Sequence, residues 1–196
     1  ELRRRQARRL SHGVTTPDIF IHDDLHMNSD AYRICRRNTH PVAQEEGSTV
    51  EMKIVQCWDD GVLDDIRLIE ILRRHDAKAS FNLNYGNQPA HRAASWMFRD
   101  VKEVWKLGKD ELRDVYDGFT IANHSDKHLK LPEVPISEAI EDIRVGRDAL
   151  EQHFGCSVTG FAYPCGLHSA DVENAVREAG HIYARTTKNV DCVFPP

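Results

Sequence analysis

The sequence predicts an α/β fold built on parallel strands. Two observations carry this. From residue 51 onward, strand-like and helical stretches alternate about five times, the pattern of a parallel sheet with helical crossovers. The chemically reactive side chains fall at the C-terminal ends of the strand-like runs, where barrels and open-sheet α/β enzymes build their sites.

Each element has its own signal. Met52–Cys57 is a strand-like run, and Val62, Ile66, Ile69 and Leu72 then recur at helical spacing. Ala79–Asn84 alternates as a strand should, and Gly86, Asn87 and Pro89 break it. The stretch 91–117 has helical propensity and is divided by Gly108. Phe119–Ala122 is a short strand. Ile136, Ile140, Ile143, Leu150 and Phe154 mark one face of a long helix stopped by Gly155. Val158–Tyr163 is a strand ending at Pro164. Ser169 can cap a helix that Gly180 terminates, and His181–Thr187 is the last strand.

Before residue 51 the pattern is poor. Asp18–His22 could be a short strand, and the polar segment from Asn38 to Thr49, with Pro41 and Gly47, reads as a linker. The chain is therefore expected to divide into a partly irregular N-terminal extension, 1–50, and a catalytic domain, 51–196.

Composition narrows the function classes. The 196 residues are 40% hydrophobic and 29% charged, enough apolar material for one domain with a core. No run approaches the ~20 apolar residues of a membrane span. The net charge of -5 argues against general nucleic-acid binding, which shows a basic excess. Residues 1–10 hold five arginines against one glutamate but no aromatic residue, and read as a solvated terminus. No apolar run follows them, so no signal peptide is visible and the cytoplasm is the default compartment. Cys35, Cys57, Cys156, Cys165 and Cys192 are odd in number and form no CxxC pair, so they are expected as free thiols rather than a zinc ribbon or a disulfide framework.

Three constellations carry chemistry. In Trp58-Asp59-Asp60-Gly61, two carboxylates leave a strand end in different directions, so one can hold a cation while the other meets substrate. Taken alone, Asp60 could instead cap the next helix. In His124-Ser125-Asp126-Lys127-His128, two histidines four apart on a helical turn face one way and can share a metal. Two histidines plus a carboxylate, with positions left open, suit a catalytic divalent ion. His22-Asp23-Asp24-Leu25-His26 repeats the histidine spacing, but without a matching strand end. In Gly160–Gly166, Pro164 and Gly166 fix a turn whose backbone N–H groups could stabilise an oxyanion, or which is an ordinary turn.

In this order and spacing, the three segments resemble the motifs of the polysaccharide deacetylase family (carbohydrate esterase family 4, the NodB homology domain), over residues 51–187. Cys57–Gly61 is similar to the family's TFDDG, His124–His128 to its H-S/T-x-x-H, and Ala162–Gly166 to its R-x-P-Y-G. Ala77-Lys78-Ala79-Ser80-Phe81 looks like its K-A-T-F strand. The resemblance implies a distorted (β/α)7-type barrel. It implies a metal-dependent hydrolase that takes N-acetyl, or less often O-acetyl, groups from a carbohydrate polymer or oligosaccharide. By position, Asp59 would be the general base. Asp60, His124 and His128 would hold a divalent metal, most often zinc. Tyr163, Pro164 and Cys165 would meet substrate, with the Cys165 N–H as oxyanion donor. Relatives are often secreted or displayed at the cell surface.

Three departures matter. The third motif's arginine, which pairs with the base, is Ala162 here; Arg185 is a possible stand-in. The tyrosine after the motif proline is Cys165. The family's last motif, a strand ending in the acid histidine, has no counterpart after Thr187. The five strands of 51–187 are too few to close a barrel, so the barrel is expected to be incomplete at its C-terminal end. The acid would then lie beyond Pro196, or at His22, since Ile19–Asp23 is similar to that motif placed first, or be a different group altogether. The alternatives in function are a small-amide C–N hydrolase of the allantoinase-like branch and a degenerate, non-catalytic carbohydrate-binding domain. The partner expected is an acetylated carbohydrate, with no nucleic acid and no membrane span.

Overall fold

A computed structural model describes residues 19–20 and 55–188. The elements are β1 (Ile19–Phe20), β2 (Cys57–Asp59), α1 (Asp65–Arg74), β3 (Ser80–Leu83), β4 (Ala93–Phe98), β5 (Lys102–Lys106), α2 (Leu112–Val115), β6 (Thr120–Asn123), α3 (Ile136–Phe154), β7 (Gly160–Ala162), α4 (Ala170–Glu178) and β8 (Tyr183–Arg185). One six-stranded sheet runs in the order β1-β8-β7-β6-β3-β2. β2, β3, β6, β7 and β8 are mutually parallel, and β1 joins β8 antiparallel. The sheet is curled into a half-barrel. Arg185 on β8 touches Asp59 on β2, yet the two strands are four places apart. In a flat sheet that separation is about 19 Å, at about 4.8 Å per strand, beyond the reach of an arginine.

The helices follow from their apolar stripes. In α3 the buried positions Ala139, Ile143, Gly146 and Leu150 recur at helical spacing, and Gly155 ends the helix in the left-handed conformation, φ 68°. Ser169 caps α4, its hydroxyl accepting from the Val172 N–H at 3.4 Å. Two apolar clusters fill the space between sheet and helices. One gathers Ile69, Leu72, Phe81, Leu83, Tyr116 and Leu150; the other gathers Leu131, Ile143, Phe161, Tyr163, Val172 and Val176. On β3, Phe81 and Leu83 join the first cluster, while Asn82 lies on the opposite face of the strand. The parallel strands thus carry apolar side chains toward the helices and polar ones into the barrel.

Two local expectations are corrected. The stretch 91–117 is mostly a hairpin: β4 and β5 pair antiparallel, and only 112–115 is helical. Arg99 and Asp100 both take positive φ, 51° and 55°, the mirror-image turn that matches strand twist. The aromatic residues of 96–105 decide for strand over the helix propensity of the charged ones. The segment His124–His128 is a loop and not a helical turn, with Ser125 and His128 both at φ 57°. It is moulded by α3. The Asp126 N–H donates to the Asp142 carbonyl at 3.0 Å, and the Lys127 N–H donates to the Asp142 carboxylate at 3.0 Å. Gly146 lets the helix approach: a Cβ there would lie 2.7 Å from the Asp126 nitrogen. The arginine-rich arm, His22–His26, the 38–49 linker, Met52–Ile54, Cys35 and Cys192 lie outside the described residues. No helix among the described residues is long and apolar enough to cross a membrane.

At the start of α1, Asp65 is buried and accepts a hydrogen bond from the Tyr116 hydroxyl at 2.6 Å. Burial raises its pKa to about 7, against the opposing pull of that bond. The folded protein therefore holds a proton that the unfolded chain releases near pH 4, and stability from this group is lost as pH rises toward 7. We expect Asp65→Asn to remove that loss. The melting temperature of the variant minus that of the wild type should rise between pH 4 and pH 7 and level off above; a flat difference would contradict the assignment.

Candidate active site

The site is assembled at the C-terminal ends of the parallel strands. Asp59 is the last residue of β2, and Asp60 begins the turn that follows. Asp60 and Gly61 both take left-handed backbone, φ 78° and 64°, so the two adjacent carboxylates leave the strand in different directions. The conformation is unfavourable for aspartate. It is held by the Asp60 N–H, which donates to the Asn82 carbonyl at 3.0 Å, and by Gln88 Nε2, which donates to the Asp60 carbonyl at 2.7 Å. Gly61 also makes room for Gln88: a Cβ there would lie 2.5 Å from Nε2.

The structure brings Asp60, His124 and His128 together. One ligand atom of each lies within 4.8 Å of the others. The imidazole centroids are 4.7 Å apart, and His128 Nε2 is 3.8 Å from Asp60 Oδ1. His124 Nδ1 donates to the Ala162 carbonyl at 2.8 Å. A carbonyl can only accept, so this bond places the proton on Nδ1 and leaves Nε2 with its lone pair. Burial pushes the His124 pKa down, against the pull of Asp59 and Asp60, which favours the neutral form that ligates metal. The side chains of Asp60 and His128 are each 28% exposed, so the group is open to solvent.

Asp59 lies beside this group and is 31% exposed. Arg185 Nη2 contacts both of its carboxylate oxygens, and Asn82 Nδ2 donates to Oδ1 at 2.7 Å. Burial works to raise the Asp59 pKa. The charges of His124 and Arg185, with the bonds from Arg185 and Asn82, outweigh it and set the pKa below the ordinary carboxylate value. Because His124 is itself held neutral by burial, Arg185 is the cation that acts at neutral pH.

Arg185 thus makes a contact between arginine and carboxylate of the kind expected of the motif residue that is Ala162 here. The two residues are register partners on neighbouring strands. The side chain at 162 is only a methyl.

The third motif divides. Pro164–Gly166 form a single tight turn, with Cys165 at φ 57° and exposed. The Gly166 N–H donates to the Tyr163 carbonyl at 2.8 Å, and the Leu167 N–H to the Pro164 carbonyl at 3.1 Å. The Tyr163 ring is buried, 6% exposed, edge-on to Phe161 and tilted against His168.

The sequence did not single out Asn82, Gln88 or Lys106, which complete the site. Asn82 and Asn84 stand two apart along a strand whose intervening residues are core, so they share the inner face. That alternation was their signal. Gln88 and Lys106 carry none, since their segments meet the site only through the fold.

Comparisons with known proteins agree with this architecture. A family profile described as polysaccharide deacetylase matches residues 46–184. No curated protein matches the chain. Among solved structures, the chain is similar to a de-N-acetylase from Aggregatibacter actinomycetemcomitans, with a TM-score of 0.54 and 15% identity, covering 66% of this chain and 61% of that one. It is similar to the Streptococcus pyogenes deacetylase PplD in complex with acetate, with a TM-score of 0.53 and 17% identity, covering 64% and 52%. It is also similar to a family 4 carbohydrate esterase from Streptomyces lividans in complex with acetate, with a TM-score of 0.51 and 19% identity, covering 65% and 59%. The chain therefore spans about half to three-fifths of the length of these structures. The half-barrel, the clustered aspartate and histidines, and the profile match over most of the chain lead to one conclusion: this chain belongs to the polysaccharide deacetylase family.

Proposed function

We propose that the chain is the catalytic part of a metal-dependent hydrolase that removes N-acetyl, or O-acetyl, groups from a carbohydrate polymer or oligosaccharide. The observation that carries this is the convergence of Asp60, His124 and His128 beside an Asp59 held ionised by Arg185. Two imidazoles and one carboxylate suit a divalent ion, zinc first, with further positions open. The bond from His124 Nδ1 to Ala162 supports the fit, because it frees Nε2 and fixes the ring. Bound there, such an ion would polarise the acyl carbonyl and acidify a water.

The chain's own residues would do the rest. Asp59, ionised at neutral pH, takes the proton of the attacking water. Arg185 and Asn82 hold its carboxylate in place for that transfer. Pro164 has no N–H, and those of Gly166 and Leu167 close the turn, so the Cys165 N–H is the turn's remaining donor for the oxyanion. As the C–N bond breaks, the departing amine takes up a proton, from the acid group that the resemblance implies or from Asp59, and acetate leaves.

His124→Ala and His128→Ala should each sharply lower zinc content measured by mass spectrometry. Asp59→Asn should retain zinc while acetate release from chitooligosaccharides falls by about 10²-fold or more. An Asp59→Asn protein that turns over normally would remove Asp59 from the reaction. Arg185→Met leaves Asp59 without its cation, and breaking a buried pair costs about 3–5 kcal/mol at full burial, less at a partly exposed site. Its kcat should fall with KM little changed, Arg185→Lys should recover part of the loss, and zinc content should stay near that of the wild type. A change confined to KM would instead make Arg185 a substrate contact.

A further inference from the structure

The two carboxylates of the pair are supported in parallel but not alike. Asn82 donates to Asp59 at 2.7 Å, and Asn84 Nδ2 donates to Asp60 Oδ1 at 2.7 Å. Asp59 also receives an arginine directly. Among the described residues, no lysine or arginine touches Asp60. The cation on its side, Lys106, stops one amide short: its Nζ donates to Asn84 Oδ1 at 2.6 Å. Gln88 Nε2 reaches the same oxygen at 3.3 Å. All three supporting groups are buried, Asn84 at 0%, Gln88 at 3% and Lys106 at 5% exposure.

This arrangement is specific. A buried ammonium is costly unless it is bonded, and Lys106 is held in place by its backbone. It ends β5, bridges Val62, and is followed by Leu107, whose N–H donates to the Gly61 carbonyl at 3.0 Å. Lysine can only donate and aspartate can only accept. Set between them, the Asn84 amide has one satisfactory orientation, with Oδ1 toward Lys106 and Nδ2 toward Asp60. A lysine directly on Asp60 would compete with any cation for the carboxylate; one amide away, it does not.

We propose that Lys106, carried by the hairpin, is a positioning residue for Asp60: it locks the Asn84 amide so that the carboxylate is presented to the metal ion without a competing cation. This rests on the metal reading above.

The test is a titration of the apo protein with zinc ions against a chromophoric chelator. Lys106→Met should weaken zinc binding by about 10-fold or more. Lys106→Gln, whose amide can still donate to Asn84, should remain within about threefold of wild type, the rescue expected if the hydrogen bond and not the charge matters. Loss of a positive charge alone would act in the opposite sense and tighten zinc in both variants. Asn84→Leu, which removes the donor to Asp60 and leaves Lys106 in place, should weaken zinc as Lys106→Met does, and carries the test if Lys106→Met fails to fold. Unchanged or tighter binding in the folded variants, or equal weakening in Lys106→Gln, would overturn the assignment while wild-type binding upholds the metal site. A wild-type protein that binds no zinc would overturn both.

Discussion

The contact between Arg185 and Asp59 ties the first parallel strand of the half-barrel to the last. It can form only because the sheet curls. Ala162, the register partner of Arg185, stands where the third motif would carry an arginine. The contact between arginine and carboxylate is present, but it comes from the neighbouring strand.

Around that contact, the two adjacent aspartates have different surroundings. Asp59 remains in the strand and meets its cation directly, which holds it ionised. Asp60 enters left-handed backbone, points to the histidines, and is steadied through neutral amides. In the proposed mechanism Arg185 keeps Asp59 ionised and oriented, and the amides orient Asp60 without neutralising it. The buried Nδ1–H of His124 is committed to a main-chain carbonyl, and its other nitrogen keeps its lone pair.

Much of this was legible in the sequence, and the parts that were not share a cause. The alternation of strands and helices, the Asp59-Asp60-Gly61 turn and the pairing of His124 with His128 are local patterns, and each has its place in the fold. The helical turn expected at 124–128 failed because the spacing of two histidines does not specify how they converge. Contacts from α3 mould that segment into a loop, and Gly146, distant in sequence, makes the approach possible. The hairpin at 93–106 was hidden because its charged residues favour helix while its aromatic ones need a partner strand. Arg185 was nameable only as a stand-in, because its reach to Asp59 is a property of sheet curvature. Lys106 and Gln88 were not nameable, since nothing near them in sequence marks a buried polar partner.

The most direct measurement is a crystal structure of the protein soaked with zinc. The account predicts one ion bound by Asp60, by His124 through Nε2 and by His128, with the Arg185 guanidinium still on Asp59 and Asp59 off the metal. An ion held elsewhere, or one that draws Asp59 away from Arg185 to become a ligand, would contradict the separation of roles on which the mechanism depends.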